Sequence, residues 1–224
     1  PRGRWMQKAS GNAGMDRNRE YNSRCFVFAD CRYNEYNALD GCDEALSVTL
    51  RHSISYRTYF AYDEASKTYK MSQYSAASKS VTDTVDELNS EQLAFTNLVV
   101  LFTEIAAYPG DSHDIQSVDY ANGGVGYYFT NGRAKYIGWQ KGSPGSGLRI
   151  YDYELGEDEP IMVNIGKTYL TVIDLEEYAN FSYTGSDTGA ASDDLTGADS
   201  GAAGTDDADN AETGTGAAAS ITTQ

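Results

Sequence analysis

Histidine and cysteine are scarce in this 224-residue sequence, which contains two of the first and three of the second. Because imidazole is the commonest metal ligand and general base, two histidines leave little material for either kind of site. Cys25, Cys31 and Cys42 include no Cys-x-x-Cys pair and have no nearby histidine, so their spacing does not fit a zinc site. One disulfide with one free thiol, or three reduced buried cysteines, would both fit.

Long apolar runs are also missing. No stretch of 18 apolar residues occurs, so the sequence predicts no transmembrane helix. The chain starts at Pro1 without a signal peptide or a lipidation cysteine, and we therefore expect a fragment or a trimmed form of a longer protein. An apolar content of 40% is nevertheless enough for at least one hydrophobic core.

The negative charge is concentrated at the C-terminal end. Residues 184–224 contain eight acidic and no basic residues, which is half of the net charge of −16. Large apolar residues are almost absent there, so the segment cannot bury enough surface to offset the entropy of ordering, and we predict a disordered acidic tail. Asp207, Asp209 and Glu212 lack the glycine and the spacing of an EF-hand, which favours a solvated tail over a calcium site.

The overall charge also bears on nucleic acids. A strongly acidic protein repels phosphate backbones, so the net charge disfavours nucleic-acid binding as the main function. The basic residues near the N-terminus are better explained as a solvated face than as a phosphate site; they are Arg2, Arg4, Lys8, Arg17, Arg19, Arg24 and Arg32.

Strand patterns begin after a polar and irregular segment, residues 1–45. Apolar side chains alternate over residues 48–60, which is typical of a half-buried strand, and a turn at 63–66 leads into a second strand carrying Tyr69 and Met71. We expect a polar loop over 75–90 and one helical turn at 91–94. The run LVVLFTEI, residues 98–105, is short and β-branched enough to be a central strand.

The clearest local signal is the segment GVGYYFTNGRAKYIGW, residues 124–139. Asn131-Gly132 is the preferred pair for a type I′ hairpin because both positions need a positive φ. This turn fixes the register, so Tyr127 faces Tyr136 on one side of the hairpin and Tyr128 faces Lys135 on the other. We expect a third hairpin turning at 156–159 and a last strand at 168–173.

The triplet Gly166-Lys167-Thr168 invites a nucleotide-binding interpretation. A P-loop needs a glycine at position 161, where this chain has Ile161, and it needs a helix after the triplet. The residues that follow, TYLTVI, have a strand pattern instead. The sequence therefore predicts a mainly β fold, an antiparallel sheet built from hairpins, with an α+β fold as the alternative.

Taken in order, these segments resemble the C-terminal domain of the YerB-like bacterial lipoproteins, a family described as a domain of unknown function. The resemblance covers roughly residues 46–175 and rests on SYRTYFAYDEASKTYKMS, NLVVLF, GVGYYFTNGRAKYIGWQK, RIYDYE and NIGKTYLTVI. Met71 departs from the family's usual Arg, and Tyr169 from its frequent Trp. The positions aligned by the resemblance are Tyr69, Asn97, Tyr128, Asn131, Gly132, Trp139, Lys141, Tyr151, Asp152, Gly166, Lys167 and Thr168.

The resemblance implies a domain organisation and a setting. We expect residues 1–45 to be a remnant or an insertion, residues 46–178 to form the YerB-like C-terminal β domain, and residues 184–224 to be the tail. The family's N-terminal domain, where an active or ligand site would be expected, is essentially absent. The resemblance further implies an extracytoplasmic location, with membrane attachment through a lipid anchor that this chain does not contain.

One candidate binding face follows from the hairpin register, which puts Tyr128, Arg133, Lys135 and Trp139 on the same side. Rigid amphipathic rings beside cations suit the recognition of glycans or anionic polymers. The alternative is that Trp139 covers Gly124 as part of the core and the tyrosines line a sheet.

The two histidines and the acids at 154–159 are better explained by structural or solvated roles than by catalysis or metal binding. His52 fits a packed, hydrogen-bonded imidazole, and His113 beside Asp111 and Asp114 fits an exposed turn. The acids at 154–159 fit a solvated hairpin better than a calcium site or paired catalytic carboxylates. We predict no catalytic residue, no metal site and no cofactor.

Two functional hypotheses remain. The first is a non-enzymatic extracytoplasmic module that binds a cell-envelope component or a protein partner. The alternative is the accessory half of an envelope hydrolase whose catalytic residues lie in the missing N-terminal domain.

Overall fold

The computed structural model describes residues 26–30, 33, 35–110, 112–113, 115–142 and 146–185. The predicted mainly β class is confirmed, and a 3-10 helix, Leu175–Asn180, lies between the last two strands. The predicted tail lies outside the described residues apart from Thr184 and Gly185. The strands are β1 (Val27–Phe28), β2 (Asp43–Glu44), β3 (Ser47–Arg51), β4 (Arg57–Asp63), β5 (Thr68–Ser75), β6 (Ser80–Asp83), β7 (Ala94–Phe95), β8 (Asn97–Thr103), β9 (Ile105–Ala107), β10 (Gln116–Val118), β11 (Gly124–Thr130), β12 (Arg133–Gln140), β13 (Arg149–Asp152), β14 (Met162–Val163), β15 (Thr168–Asp174) and β16 (Ser182–Thr184).

Two six-stranded sheets carry the fold. The central sheet has the order β13-β12-β11-β8-β15, with β2 beside β12, and the outer sheet has the order β16-β3-β4-β5-β6, with β7 beside β5. Two small ribbons, β1 with β14 and β9 with β10, complete the strand pairing of the described residues. All pairs are antiparallel except β8 with β15 and β1 with β14, which are parallel.

Both faces of the central sheet are covered around β8. Every residue of β8 is buried, as expected for a central strand whose side chains alternate between two apolar layers. Leu98, Val100 and Phe102 join the core against the outer sheet. Val99 and Leu101 join a second cluster on the opposite face, which is covered by segments before β2 and before β15, including Leu39 and Val163.

The β11–β12 hairpin has the predicted register at every position. Asn131 and Gly132 have φ values of 54° and 69°, the positive angles that a type I′ turn requires. Tyr127 pairs with Tyr136, Tyr128 with Lys135 and Gly124 with Trp139. Because the turn fixes the register locally, sequence alone was sufficient here.

Several local expectations were wrong. The alternating run at 48–60 is broken by a turn at 52–56, where Ile54 is 75% exposed, so β3 and β4 are separate antiparallel strands. The expected polar loop at 75–90 contains β6, which pairs with β5, and the expected helical turn at 91–94 gives way to β7. Short polar strands of this kind are held by their neighbours rather than by an apolar pattern.

Long-range pairings differ from the expected succession of hairpins. The strand at 149–152 does turn back at 156–159, where Asp152 N–H donates to Glu159 O at 2.9 Å, but β14 then pairs with β1. The last expected strand, β15, lies parallel to β8. Thr184, assigned to the tail by composition, belongs to β16 and pairs with Ser47, so regular structure continues past residue 178.

Candidate functional site

The predicted binding face is buried. Tyr128 and Trp139 are 0% and 1% exposed, and both lie in the second core cluster, so a ligand at the surface would touch neither ring. Trp139 lies over Gly124, as the alternative interpretation required: a Cβ at Gly124 would lie 2.9 Å from the indole Nε1. The indole N–H donates to the backbone oxygens of Phe102 and Val125 at 3.2 and 3.1 Å. This face of the hairpin is therefore core.

Tyr128 belongs to a buried polar network that the sequence analysis missed. Its hydroxyl donates to Asn97 Oδ1 at 2.7 Å and accepts from the backbone N–H of Asn164 at 3.1 Å. Asn97 Nδ2 donates to the Asn164 carbonyl at 2.8 Å, and Asn164 Nδ2 donates to the carbonyl of Asn37 at 2.8 Å. Each partner comes from a different segment, so the network fastens the segments around Asn37 and Asn164 to the central sheet.

The two predicted cations are already engaged. Lys135 Nζ lies 3.1 Å from Asp152 Oδ2 and 3.2 Å from Glu154 Oε2. Burial acts to lower the pKa of Lys135, but the hydrogen bonds that Lys135 donates to the carboxylates of Asp152 and Glu154 outweigh burial, and the pKa is raised. Arg133 Nη1 donates to the backbone oxygen of Cys42 at 2.9 Å. Both side chains therefore stabilise the sheet edge rather than form an aromatic binding face.

The opposite side of the same hairpin joins the core against the outer sheet at Phe129 and Ala134 and carries a partly exposed aromatic surface beyond them. Tyr127 and Tyr136 are direct cross-strand neighbours, and neither is fully buried. Tyr153 is 51% exposed and Tyr178 is 38% exposed. We call this surface the tyrosine platform, and it consists of Tyr127, Tyr136, Tyr151, Tyr153 and Tyr178.

The rings of the platform support one another. Tyr136 stands edge-on to Tyr153 with ring centroids 4.8 Å apart, and edge-on to Tyr127 at 5.2 Å. The hydroxyls of Tyr127 and Tyr178 lie 3.1 Å apart and form a hydrogen bond. Such packing fixes ring positions before a ligand arrives, which lowers the entropy cost of binding.

Gly138 makes room for the fifth ring of the platform, Tyr151. Tyr151 lies opposite Gly138 in the register, and a Cβ at Gly138 would approach the Tyr151 ring to 2.3 Å. The Tyr151 ring therefore lies across the strand where any other residue would project. The next pair on this face is Gln140 and Arg149, whose side chains are hydrogen-bonded to each other. An amide and a guanidinium thus border the aromatic surface.

Burial favours the neutral form of three platform phenols. Burial raises the pKa of Tyr136 to about 12, and burial together with the Tyr178 hydroxyl raises the pKa of Tyr127 further. Burial also raises the pKa of Tyr151. Neutral phenols both donate and accept hydrogen bonds, so the platform offers apolar ring faces with hydroxyl groups at their edges.

The other candidate residues do not form a chemical centre. The His52 ring stacks on Tyr56 with a centroid distance of 4.7 Å, and burial lowers the pKa of His52. His113 is exposed in a turn beside Ser112, and its neighbours Asp111 and Asp114 lie outside the described residues. Within the described ranges, no group of three or more His, Cys, Asp or Glu residues is placed to hold a metal ion.

Cys42 has a free thiol whose pKa is raised mainly by burial. Cys25 and Cys31 lie outside the described residues, as do Asp207, Asp209 and Glu212 of the predicted tail. The Glu154 carboxylate forms an ion pair with Lys135. Glu157 lies 4.0 Å from Arg149 at the surface, in keeping with a solvated hairpin turn.

Lys167 precedes a strand, as predicted. The backbone oxygen of Lys167 accepts from the N–H groups of Thr96 and Asn97, and β15 follows it. Lys167 borders an open groove of about 680 Å³, but the same groove contains Asp63 and Glu91, and Lys70 is paired with Asp63 at 2.9 Å. The positive charges of Lys70 and Lys167 in this groove are thus balanced by the negative charges of Asp63 and Glu91.

No helix in the part of the chain that the structure describes has the length and apolar character to cross a membrane.

Comparison with known proteins gives two findings. A family model described as "Protein of unknown function (DUF3048) C-terminal domain" matches residues 47–170. The crystal structure of YerB protein from Bacillus subtilis is similar in fold, with a TM-score of 0.55 and 16% sequence identity. That match covers 80% of this chain and 53% of YerB, so the chain spans about half the length of its structural relative. The curated proteins gave no match.

Proposed function

The chain belongs to the YerB-like protein family of unknown function (DUF3048) through its C-terminal domain, and from this premise we propose that it is a non-enzymatic module that binds a cell-envelope glycan outside the cytoplasm. The observation that carries this proposal is the tyrosine platform. The extracytoplasmic setting and the lipid anchor of the parent protein rest on the resemblance to the YerB-like lipoproteins.

Sugar rings suit this surface chemically. The axial C–H face of a pyranose packs against an aromatic ring, while its hydroxyls need donors and acceptors at the ring edge. The platform supplies both, because Tyr153 exposes half of its surface and the hydroxyls of Tyr127 and Tyr178 lie at one side. Gln140 and Arg149 add an amide and a cation at the border, which can hydrogen-bond sugar hydroxyls or a carboxylate.

The rigidity of the surface favours binding over chemistry. Three of the platform rings lie on paired strands, Tyr153 lies in the turn that follows β13, and Tyr178 lies on a short helix that packs against β8 and β15. Prearranged rings reduce the ordering that a ligand must impose, so a shallow surface can still bind a polymer through several weak contacts.

The test is co-sedimentation of the purified protein with insoluble cell-wall glycan. We expect Tyr153→Ala to weaken retention about tenfold, because it removes the most exposed ring of the platform, whereas Tyr153→Phe should retain most of the binding. The matched control is Tyr108→Ala, which removes an exposed tyrosine outside the platform. Equal retention of wild-type protein and Tyr153→Ala would refute the proposal.

Treatment of the wall material identifies the ligand class. A glycosidase that cuts the wall polysaccharide destroys the glycan, and a protease destroys protein. Loss of retention after the glycosidase, with survival after protease, is the result expected for a glycan. The reverse pattern would indicate a protein partner and overturn the glycan proposal, and release of soluble sugar during the assay would favour the hydrolase alternative.

A further inference from the structure

The central sheet ends in a strand with an unpaired outer edge. β15 pairs with β8 from Thr168 to Asp174, and among the described residues no backbone group bonds to its other edge. The backbone oxygen of Lys167 accepts from the N–H of Asn97, so every second residue after Lys167 turns its backbone groups to β8. The residues between them turn their N–H and C=O groups to the open edge; they are Thr168, Leu170, Val172 and Asp174.

The other edge strands of the two large sheets are covered or short. The chain folds back onto β13, where the N–H of Ile161 donates to the Ile150 oxygen at 3.2 Å. At the ends of the outer sheet, β6 has four residues and β16 has three, and β2 and β7 have two each. β15 has seven residues with no proline or lysine among them, so it lacks the features by which native proteins block a strand edge. Such an edge is a template for another strand.

Apolar side chains are exposed along this edge. Leu170, in the middle of β15, is 42% exposed, and Ile165 and Leu175, before and after the strand, are also exposed. Val172 is only partly buried and packs against the second core cluster. A strand added here would cover Leu170 and Val172 while its backbone took up the open hydrogen bonds of β15. The edge is therefore both unpaired and apolar.

The two ends of β15 carry opposite charges. Lys167 comes directly before the strand, whereas Asp174 is its last residue and Glu176 follows on the 3-10 helix. None of these three side chains forms an ion pair with another described residue. An antiparallel second copy of β15 brings Lys167 of each copy to Asp174 and Glu176 of the other, whereas a parallel copy puts Lys167 beside Lys167. The charges thus favour self-pairing about a two-fold axis.

We propose that two copies of this chain pair antiparallel through β15, so that their central sheets join into one continuous sheet. A register that uses all the open backbone groups places Leu170 of one copy opposite Val172 of the other, and Thr168 opposite Asp174. Because both open edges are used in this contact, the assembly closes as a dimer and does not grow into a fibre. β15 and β13 lie at opposite ends of the central sheet, and the dimer does not depend on the proposed glycan binding.

The first experiment is sedimentation velocity of the full chain over a range of protein concentrations. An ionic strength of about 0.15 M screens the repulsion between two acidic copies. We expect a reversible equilibrium between monomer and dimer with a Kd on the order of 10 μM, in keeping with a small interface. A monomer at every concentration would overturn the proposal and leave the edge to a strand of another domain or protein.

Hydrogen exchange resolved at single residues locates the contact. The amide protons of Leu170 and Val172 should exchange more slowly at high protein concentration than after dilution, because they are bonded only in the dimer. The amide protons of Thr171 and Ile173 point to β8 and are the internal control, with slow exchange at both concentrations. A dimer in which Leu170 and Val172 exchange at the monomer rate would overturn pairing through β15.

Two pairs of variants test the edge and its charges. Leu170→Lys puts a lysine on the open edge and should raise the Kd at least about tenfold, whereas Leu155→Lys, at an exposed leucine in the turn after β13, should leave it unchanged. Lys167→Glu should also raise the Kd about tenfold, because like charges then meet at both ends of the paired strands. Lys67→Glu makes the same change of net charge in the β4–β5 turn, so an equal loss in both would overturn the antiparallel arrangement.

The fold of each variant is checked by circular dichroism. Lys167 is exposed and lies before the strand, so Lys167→Glu keeps the proposal testable if Leu170→Lys does not fold. Tyr153→Ala should dimerise like the wild-type protein, so failure of the glycan proposal and failure of this one are distinguishable.

Discussion

The Tyr128 hydroxyl lies 2.7 Å from Asn97 Oδ1, to which it donates a hydrogen bond between two side chains that are fully buried. The Asn164 backbone N–H donates to the same hydroxyl, so one phenol joins β8, β11 and the segment before β15. Every link in this arrangement is a long-range contact. Because buried polar groups are costly when unpaired, the network makes the position of Asn164 depend on Tyr128.

Tyr128→Phe should therefore destabilise the protein by about 1–3 kcal/mol, since it leaves Asn97 Oδ1 and the Asn164 N–H without this partner in the core. Urea denaturation followed by circular dichroism measures the change in the free energy of unfolding. Tyr153→Phe is the matched control, because it removes the same hydroxyl from an exposed ring and should change stability by less than about 0.5 kcal/mol. Wild-type stability in Tyr128→Phe would contradict the role of the network.

Trp139 and Tyr153 should show opposite patterns. Trp139→Ala should cost about 3–5 kcal/mol of folding stability because it empties a fully buried site beside Gly124. Tyr153→Ala should change stability little but weaken glycan retention. Thermal unfolding of the two variants measures their stability. Co-sedimentation, carried out at a temperature below the unfolding transition of each variant, measures their glycan retention. Reduced retention in a folded Trp139→Ala, with full retention in Tyr153→Ala, would restore the face predicted from sequence.

The hairpin shows what sequence can and cannot determine. The Asn131-Gly132 turn fixes which residues share a face, and the structure confirms each pair. Alternation with period two does not say which of two aromatic faces is covered, because that depends on segments distant in sequence. The face with Tyr128 and Trp139 is covered by the segments before β2 and before β15, whereas the face with Tyr136 is left partly open.

The same limit explains the missed pairings, including that of Arg51 with Arg57. The parallel contact of β8 with β15 joins residues about 70 positions apart and leaves no local signature. Arg51 and Arg57 fell within one supposed strand, so a direct pairing between them could not be foreseen. The turn at 52–56 was hidden because Ile54 and Tyr56 continue the apolar alternation although both are exposed.

The turn glycine Gly132 can be tested for backbone strain and for its contact with Tyr62. Gly132 has a φ of 69°, and a Cβ there would lie 3.0 Å from the Tyr62 ring. Gly132→Val should destabilise the protein by at least about 1 kcal/mol through backbone strain and this contact. Gly41→Val is the control for strain alone, because Gly41 has a φ of 79° and open space around it. Equal losses in urea denaturation would show that the contact with Tyr62 adds nothing.

Alkaline pH should unfold the protein through its tyrosines. Burial raises the pKa of Tyr128 and of Tyr136 to about 12, whereas an unfolded tyrosine ionises near pH 10. A raised pKa in the folded state means that the neutral form is favoured there, so this contribution to stability is complete below pH 10 and is lost as pH rises from 10 to 12.

Absorbance of tyrosinate at alkaline pH should show one set of the 18 tyrosines ionising near pH 10 and a later set ionising together with the loss of circular dichroism. The urea-unfolded protein, in which all tyrosines should ionise in a single step, is the control. A single step near pH 10 in the folded protein, with the circular dichroism unchanged, would mean that these rings are more accessible to water than the packing of the central sheet allows.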